Sequence, residues 1–358
     1  MQKPLRVGIV GLGAVGMVHI KAYGDVPDIE LVGVADVDPE RQEFAREQLK
    51  LPGYSTVGGL LQSARPDLCC ILTPPAAHES ATIECAEAGV HVLCEKPMAL
   101  SINSCESMIR ACERNGVELC YGASYRYLPA VMVARDMILR GELGRVVLLH
   151  EHAVGGIGPE RRRVLGPSHY PIGGPGGSPM GLCDHGIHLI DAFSWMMGSP
   201  VAEAWGRGNI SGQPLDTEVA HLKYANGALG QLLYNDGTYS TELPNEGIFS
   251  WGAGWTLEPK TDNDDVEGAW QFHPGSIHVH GTNGSLRIFH YANALFFRNS
   301  KGVRQVALPN RPVPANFSAQ LQAFIAALHA GRPAPVTGQD GLAACRALLS
   351  VYDSAVRR

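Results

Sequence analysis

The stretch RVGIVGLGAVG, residues 6–16, constrains the fold of this chain more than any other. Gly11, Gly13 and Gly16 stand in the GxGxxG spacing, directly after a β-branched run and at the start of a helical pattern. In such a unit the first glycine allows a tight turn, the second lets a pyrophosphate approach, and the third lets the helix pack closely. The helix N-terminus then offers N–H groups to phosphates. We therefore expect a dinucleotide to bind along the whole turn: Gly11, Leu12, Gly13, Ala14, Val15 and Gly16.

The acidic residue that follows the second predicted strand indicates which dinucleotide binds. Asp36 lies twenty residues after Gly16, the usual place for the acid that holds the ribose 2′-hydroxyl. A carboxylate there repels the 2′-phosphate of NADP. Arg41, one helical turn further on, is the nearby residue that could relieve this repulsion. The sequence therefore predicts NAD as the cofactor.

The remaining pattern divides the chain into two domains. Strand and helix patterns alternate through residues 1–125, which is typical of βαβ units and a doubly wound parallel sheet. Its predicted strands are 6–10, 30–35, 68–72, 91–94 and 117–121, and its predicted helices are 14–23, 39–49, 77–88 and 102–115. A further helix, 129–140, is predicted directly after this domain. Residues 126–358 favour an open, mainly antiparallel sheet for substrate binding and oligomerisation. Its predicted strands are 145–152, 218–224, 229–235, 276–280, 285–290 and 294–298. The C-terminal helices, within 315–356, could pack back on the first domain.

Composition and charge exclude several classes of protein. The net charge is −6, and the chain has no basic stripe of the kind that nucleic acid needs. No apolar stretch approaches the roughly 20 residues that span a bilayer. The nine cysteines include no CxxC pair and lie mostly in apolar runs, so we expect buried thiols rather than disulfides or zinc ligands. The first residues lack a signal-peptide pattern, and a cytoplasmic location is expected.

The stretch GLCDHGIHLIDAFSWMMG, residues 181–198, contains an unusual group of polar residues. Asp184, His188 and Asp191 are spaced i, i+4 and i+7, so they share one helical face, whereas His185 points elsewhere. Three interpretations are possible: a metal site, a satisfied core network, or a group that moves protons. No HExxH motif or cysteine cluster supplies further ligands, so we expect no metal. Proton transfer is favoured because a lysine, Lys96, comes from the other domain.

Several motifs together resemble a known family. They are TPPAAH at 73–78, EKP at 95–97, GELGRV at 141–146, DHGIHLID at 184–191 and PVTGQDGLAACRALLSVYDSA near the end. With the glycine turn, they make the chain similar, over nearly its whole length, to the glucose–fructose oxidoreductase, inositol dehydrogenase and MocA family. The resemblance implies a sugar or polyol dehydrogenase that uses NAD and forms a homodimer or homotetramer.

The family pattern also implies roles for particular residues. The EKP lysine, Lys96, lies beside the nicotinamide, and Asp184 and His188 complete the active site. Glu95 helps to hold the nicotinamide end, and the bond before Pro97 is cis. The loop of Thr73, Pro74 and His78 passes along the cofactor. Independently of the family, Lys96 follows a strand at the carboxyl edge of the sheet, where doubly wound folds bind ligands.

The expected reaction is oxidation of a secondary hydroxyl of a sugar, glycoside or inositol. His188 takes the hydroxyl proton, Lys96 stabilises charge on the same oxygen, and Asp184 binds a substrate hydroxyl or orients the pair. Asp191 is expected to support the helix rather than to react. The residues expected to contact the substrate are Lys96, Tyr125, Arg126, His152, Tyr170, Asp184, His188 and Trp251.

Three other functions remain open at this point. A relative that retains its NAD could cleave glycosides through a transient oxidation. A sugar or NAD sensor could share the fold without reacting, and a biliverdin- or imine-reducing enzyme would not need the full acid–base set. The presence of Lys96, Asp184 and His188 favours a dehydrogenase over a sensor.

Overall fold

A computed structural model describes residues 4–24, 26–156, 181–208, 217–239, 248–250, 254–256, 276–310 and 314–356. Its contacts separate two compact units. The first unit is Met1–Ser124 with Pro314–Cys345, and the second is Tyr125–Val313 with Arg346–Arg358. The long C-terminal segment is thus shared between them.

The helices and strands of the described chain are numbered in chain order. The helices are α1 (Ala14–Tyr23), α2 (Pro39–Glu47), α3 (Val57–Ala64), α4 (His78–Glu87), α5 (Ile102–Arg114), α6 (Pro129–Leu139), α7 (Ile187–Met197), α8 (Ala315–His329) and α9 (Gly338–Val356). The strands of the first unit are β1 (Leu5–Val10), β2 (Ile29–Ala35), β3 (Gly53–Tyr54), β4 (Leu68–Ile71), β5 (His91–Glu95) and β6 (Leu119–Gly122). Those of the second are β7 (Val146–Gly156), β8 (Val201–Gly208), β9 (Glu218–Tyr224), β10 (Leu229–Tyr239), β11 (Ile248–Ser250), β12 (Gly254–Thr256), β13 (Ile277–Gly281), β14 (Ser285–Phe289), β15 (Ala294–Asn299) and β16 (Gly302–Gln305).

The first unit is a doubly wound parallel sheet, as the sequence predicts. The strand order is β3-β2-β1-β4-β5-β6, and every neighbouring pair is parallel. Strands such as β4 and β6 are buried along their whole length, which explains their continuous apolar sequences. The strand order reverses beside β1, where open α/β sheets bind their ligands. Helix α8 also belongs to this unit: Ser318 Oγ donates to the carbonyl of Ala22 at 2.6 Å.

The second unit contains an eight-stranded sheet in the order β16-β15-β14-β13-β7-β10-β9-β8. The prediction of a mainly antiparallel sheet is confirmed, with one difference: β7 and β10 are parallel. A parallel pair needs a long crossover, and here that connection contains α7, β8 and β9. Side chains of β7 alternate, so that Leu149, Glu151 and Ala153 are buried while His152 and Val154 are exposed.

Two features of composition have structural counterparts. All nine cysteines are free thiols, and all nine are buried, which agrees with the expectation of small buried side chains. Among the residues with assigned structure, none forms a helix long and apolar enough to cross a bilayer.

Candidate active site

The glycine turn after β1 forms an open cradle at the carboxyl edge of the first sheet. Gly11 has a φ of +96°, and a Cβ there would lie 2.9 Å from the backbone of Leu72 and Thr73. A Cβ on Gly16 would collide with the carbonyl oxygen of Gly11. At Gly13, the N-cap of α1, a Cβ would meet only the Arg41 guanidinium, at 3.3 Å. The first and third glycines are therefore required by packing, and the middle one keeps its side open for a ligand.

Asp36 is nearly buried at the end of β2 and already holds two backbone groups. Its Oδ2 accepts from the N–H of Leu12 at 2.7 Å, and its Oδ1 accepts from the N–H of Asp38 at 2.9 Å. Arg41 Nη1 lies 3.7 Å from Asp36 Oδ2. Asp36 thus fixes the glycine turn, and the Arg41 guanidinium lies beside its carboxylate. We expect Arg41 to offset part of the repulsion between Asp36 and a 2′-phosphate.

The loop after β4 is tied to the EKP turn by a buried histidine. His78 Nε2 contacts the carbonyl oxygen of Thr73 at 2.8 Å, and its Nδ1 contacts the carbonyl oxygens of Pro97 and Met98 at 3.0 and 3.2 Å. Burial lowers the pKa of His78 below its usual value, although these carbonyls act in the opposite direction. Its side chain therefore holds two loops together. Pro74, in contrast, is exposed.

Glu95 and Lys96 occupy the end of β5. Glu95 is buried, and its Oε1 contacts His19 Nε2 at 3.2 Å while its Oε2 accepts from the N–H of Lys96 at 2.9 Å. Burial alone raises the pKa of Glu95, but the hydrogen bond and charge of His19, together with Lys96, hold this pKa below its usual value. His19 Nδ1 lies 2.7 Å from the hydroxyl of Tyr23. The Lys96–Pro97 bond is cis, as the family resemblance implies.

In the second unit, the Asp/His segment begins with a π-type turn, Leu182–Gly186. The N–H of Gly186 reaches the carbonyl of Gly181 at 3.3 Å, so Asp184 is not in regular α-helical register with the residues of α7. Glu218 Oε2 accepts from the N–H of Leu182 at 2.6 Å, and its Oε1 accepts from the hydroxyl of Tyr352 at 2.9 Å. A carboxylate at a helix N-terminus is favourable, and this one fixes the start of the segment.

His188 and Asp191 both face the short 3₁₀ turn Ser124–Tyr127. The ring of His188 stacks on Tyr125 with centroids 4.0 Å apart and planes within 8°. Arg126 donates to both carboxylate oxygens of Asp191, from Nε at 2.8 Å and from Nη2 at 2.6 Å. Both side chains of this pair are almost fully buried. Asp191 therefore anchors α7, and the guanidinium that the sequence assigns to substrate is already engaged in this pair.

His185 lies in a buried network behind the Tyr125 ring. Its Nε2 contacts Glu151 Oε2 at 2.9 Å, and its Nδ1 contacts the Tyr125 hydroxyl at 3.2 Å. The hydroxyl of Tyr234 donates to the same Glu151 oxygen at 2.8 Å. Burial alone raises the pKa of Glu151, but the charge and hydrogen bond of His185, with His290 and Tyr234, hold it below its usual value. Glu151, His185 and Tyr125 form a continuous polar chain that ends at the ring stacked on His188.

Sequence reasoning left His185 unassigned and missed Glu151 and His19 altogether. Glu151 and His19 could have been found as ionisable residues within largely apolar elements. Such residues are usually paired with another polar group when they are buried. The structure does not bring His152 together with the group around α7. Its side chain points to the opposite face of the sheet from Glu151, because neighbouring residues of a strand alternate, and its Nε2 contacts Gln231 Oε1 at 2.9 Å. Tyr170 and Trp251 lie outside the described residues.

The first unit fits a dinucleotide. The glycine turn presents the N-terminus of α1, and Asp36, Thr73 and Lys96 follow β2, β4 and β5 at the same sheet edge. The buried Thr73 Oγ1 has no hydrogen-bond partner within the described part of the chain, as expected where a bound ligand completes the site.

Comparison with known proteins agrees with this arrangement. Residues 5–123 match a family model described as an oxidoreductase family, NAD-binding Rossmann fold, and residues 135–358 match that family's C-terminal alpha/beta domain. The chain is 29% identical to D-glucoside 3-dehydrogenase of Escherichia coli (strain K12) over 203 residues, 56% of each protein. It is 27% identical to the rhizopine catabolism protein MocA of Rhizobium meliloti over 353 residues, covering 95% of this chain and 91% of that protein.

A solved structure has the same fold. It is an oxidoreductase from Agrobacterium radiobacter in complex with NAD+, L-tartaric acid and magnesium, with a TM-score of 0.77, 19% identity, and coverage of 99% of this chain and 97% of that one. The chain spans between about half and two thirds of the length of the first curated relatives it matches. The two family models together account for both units. The chain belongs to the Gfo/Idh/MocA oxidoreductase family, and its cofactor is NAD.

Proposed function

We propose that this protein oxidises a secondary hydroxyl of a sugar, glycoside or inositol with NAD. The observation that carries the proposal is the position of Lys96. It follows β5 at the sheet edge that also holds the glycine turn, and its N–H is fixed by Glu95. A cation at that edge suits a reaction in which negative charge develops on the substrate oxygen. Relatives named for oxidation of D-glucosides and of myo-inositol support the substrate class.

Bound NAD supplies the acceptor for the hydride that leaves the substrate carbon. In the proposal, His188 accepts the hydroxyl proton, a role that suits an imidazole near neutral pH. Lys96 stabilises the oxygen as that proton leaves, and Asp184 binds a neighbouring hydroxyl or orients the acid–base pair. Tyr125 contributes the flat surface that holds the His188 ring.

The buried chain behind Tyr125 positions this machinery. The Tyr125 hydroxyl is hydrogen-bonded to His185, which is in turn held by the carboxylate of Glu151, so the phenol ring has little freedom to rotate. The Tyr125 ring therefore keeps His188 in one orientation. We assign Glu151 and His185 as positioning residues and Arg126 with Asp191 as the anchor of α7, so their variants should act through the placement of His188.

A substrate panel tests the proposal. The purified protein is incubated with NAD and a series of inositols, aldoses and glucosides, and NADH absorbance is followed. The proposal predicts NADH production with members of one polyol or glycoside class and a much smaller rate in Lys96→Ala. No NADH with any member, together with normal NAD binding, would favour a sensor.

The same panel separates a redox-assisted glycosidase from a dehydrogenase. A glycosidase regenerates its cofactor, so it would release the aglycone of a glycoside without net NADH. Homo-oligomer formation and a cytoplasmic location stay predictions, as do the substrate contacts of Arg126, His152, Tyr170 and Trp251.

A further inference from the structure

The outer face of the eight-stranded sheet carries two His-x-His pairs on neighbouring strands. His150 and His152 are two apart on β7, and His278 and His280 are two apart on β13. The strands are antiparallel, and His278 lies directly opposite His150. Residues two apart share a face of a strand, so all four imidazoles are on the same side. Glu151, between the first two, points to the other face.

The rings approach one another as closely as metal ligands do. His150 Nε2 lies 3.2 Å from His280 Nε2. Two nitrogens that bind one tetrahedral Zn²⁺ at about 2.0–2.1 Å are separated by about 3.3 Å. His150, His278 and His280 each offer a ring nitrogen, and these nitrogens all lie within 4.8 Å of one another. The three residues are half-buried, so an ion could enter from the sheet surface.

A second group of contacts orients one of the three rings. His278 Nε2 contacts Ser276 Oγ at 3.0 Å, and Arg287 Nε donates to the same oxygen at 3.0 Å. In metal-binding histidines, a hydrogen bond to the ring nitrogen that does not bind the metal commonly fixes the orientation of the ring. The ring of His150 is parallel to that of His278, with centroids 4.6 Å apart and planes within 7°.

We propose that His150, His278 and His280 form a binding site for a divalent transition-metal ion of the zinc type on the outer face of this sheet. Imidazole is the ligand that suits Zn²⁺, Cu²⁺ and Ni²⁺, and three such ligands leave a fourth position for water or another donor. The site joins β7 to β13 and is separate from the reaction proposed above. His152 lies beside it, with its ring centroid 4.8 Å from that of His150.

Calorimetric titration of the full chain with Zn²⁺, after treatment with a chelator, tests the proposal. We expect about one Zn²⁺ per chain, and at least about tenfold weaker binding in His150→Gln and in His280→Gln. His221→Gln is the matched control, because His221 is also on the outer face but stacks on Trp205, with ring centroids 5.6 Å apart. Its zinc affinity should be unchanged. Circular dichroism and NAD titration of each variant confirm that it is folded.

Two results would overturn the proposal. One is the absence of saturable Zn²⁺ binding by the wild-type chain, which would make the 3.2 Å contact a simple hydrogen bond between two imidazoles. The other is binding that survives His150→Gln and His280→Gln but is lost in His290→Gln. That outcome would place the ion in the buried group of Glu151, His185 and His290. Either result leaves the proposed dehydrogenase activity unaffected, since NADH production is measured separately.

Discussion

Replacing Arg126 by alanine should destabilise the second unit strongly. The substitution leaves the Asp191 carboxylate buried without the two hydrogen bonds, of 2.8 and 2.6 Å, that it receives from the guanidinium. Removing one partner of a buried ion pair typically costs about 3–5 kcal/mol, because the remaining charge is desolvated and unpaired. For a domain of 150–250 residues, each kcal/mol lowers Tm by about 2–4 °C. We therefore expect a fall of about 6–20 °C.

Calorimetry and a double-mutant cycle distinguish this role from substrate binding. Asp191→Ala should lower the free energy of unfolding as much as Arg126→Ala does, and the double variant should lower it little more than either single variant. Arg135→Ala is the control: Arg135 lies on α6, is half-buried and donates to the carbonyl of Trp195 on α7 at 3.3 Å. Its loss should lower the free energy of unfolding by only about 1 kcal/mol. Additive effects of the two single variants, or a raised KM without loss of stability in Arg126→Ala, would refute the pairing.

Three further outcomes follow from the described contacts. Asp36→Ala should weaken NAD binding and narrow the preference for NAD over NADP, measured by fluorescence titration of both cofactors; equal affinities in the wild type would contradict the assigned role of Asp36. Burial lowers the pKa of His290 to about 4, whereas the pKa of histidine in the unfolded chain is about 6.5. As the pH falls below about 6.5, the unfolded chain therefore binds the proton before the folded one does, and the free energy of unfolding decreases. Between pH 7 and 5 this group should lower the free energy of unfolding by about 2 kcal/mol. In urea unfolding, His290→Gln should lose correspondingly less stability than the wild type over this pH range. Chelation should leave NADH production intact, and its abolition by chelator would contradict a metal-independent proton transfer.

Local signals in the sequence were sufficient to predict most of the helices and strands. The glycine turn, Asp36 and Lys96 stand at strand ends, and strand ends are marked by changes of periodicity and by turn residues. Parallel strands are buried on both faces, so their apolar runs are distinct. Strand β16, by contrast, is an exposed edge with the sequence GVRQ, and β8 contains two glycines and an arginine. Neither has the apolar alternation by which strands are recognised, and neither was predicted.

The polar networks were not predictable in the same way, because they join residues far apart in the chain. His19 meets Glu95 76 positions later, and Arg126 meets Asp191 65 positions later. The sequence predicts a supporting role for Asp191, but nothing in the helical spacing identifies Arg126 as its partner. For His152, the place at the end of a predicted strand suggested a contact with substrate, which stays a prediction. Strand alternation puts its side chain on the opposite face of the sheet from Glu151.

We propose that Lys96 and His188 act together on one hydroxyl. Steady-state rates of Lys96→Ala, His188→Ala and the double variant, each with fluorescence titration of NAD, test it most directly. We expect each single variant to lose about 10²–10⁴-fold in rate. Each should still bind NAD, since we expect the phosphates to contact the glycine turn rather than these two side chains. Groups that act as a unit are strongly non-additive, so the double variant should be little slower than the worse single one. Near-normal turnover in either single variant, or fully additive losses, would contradict the account.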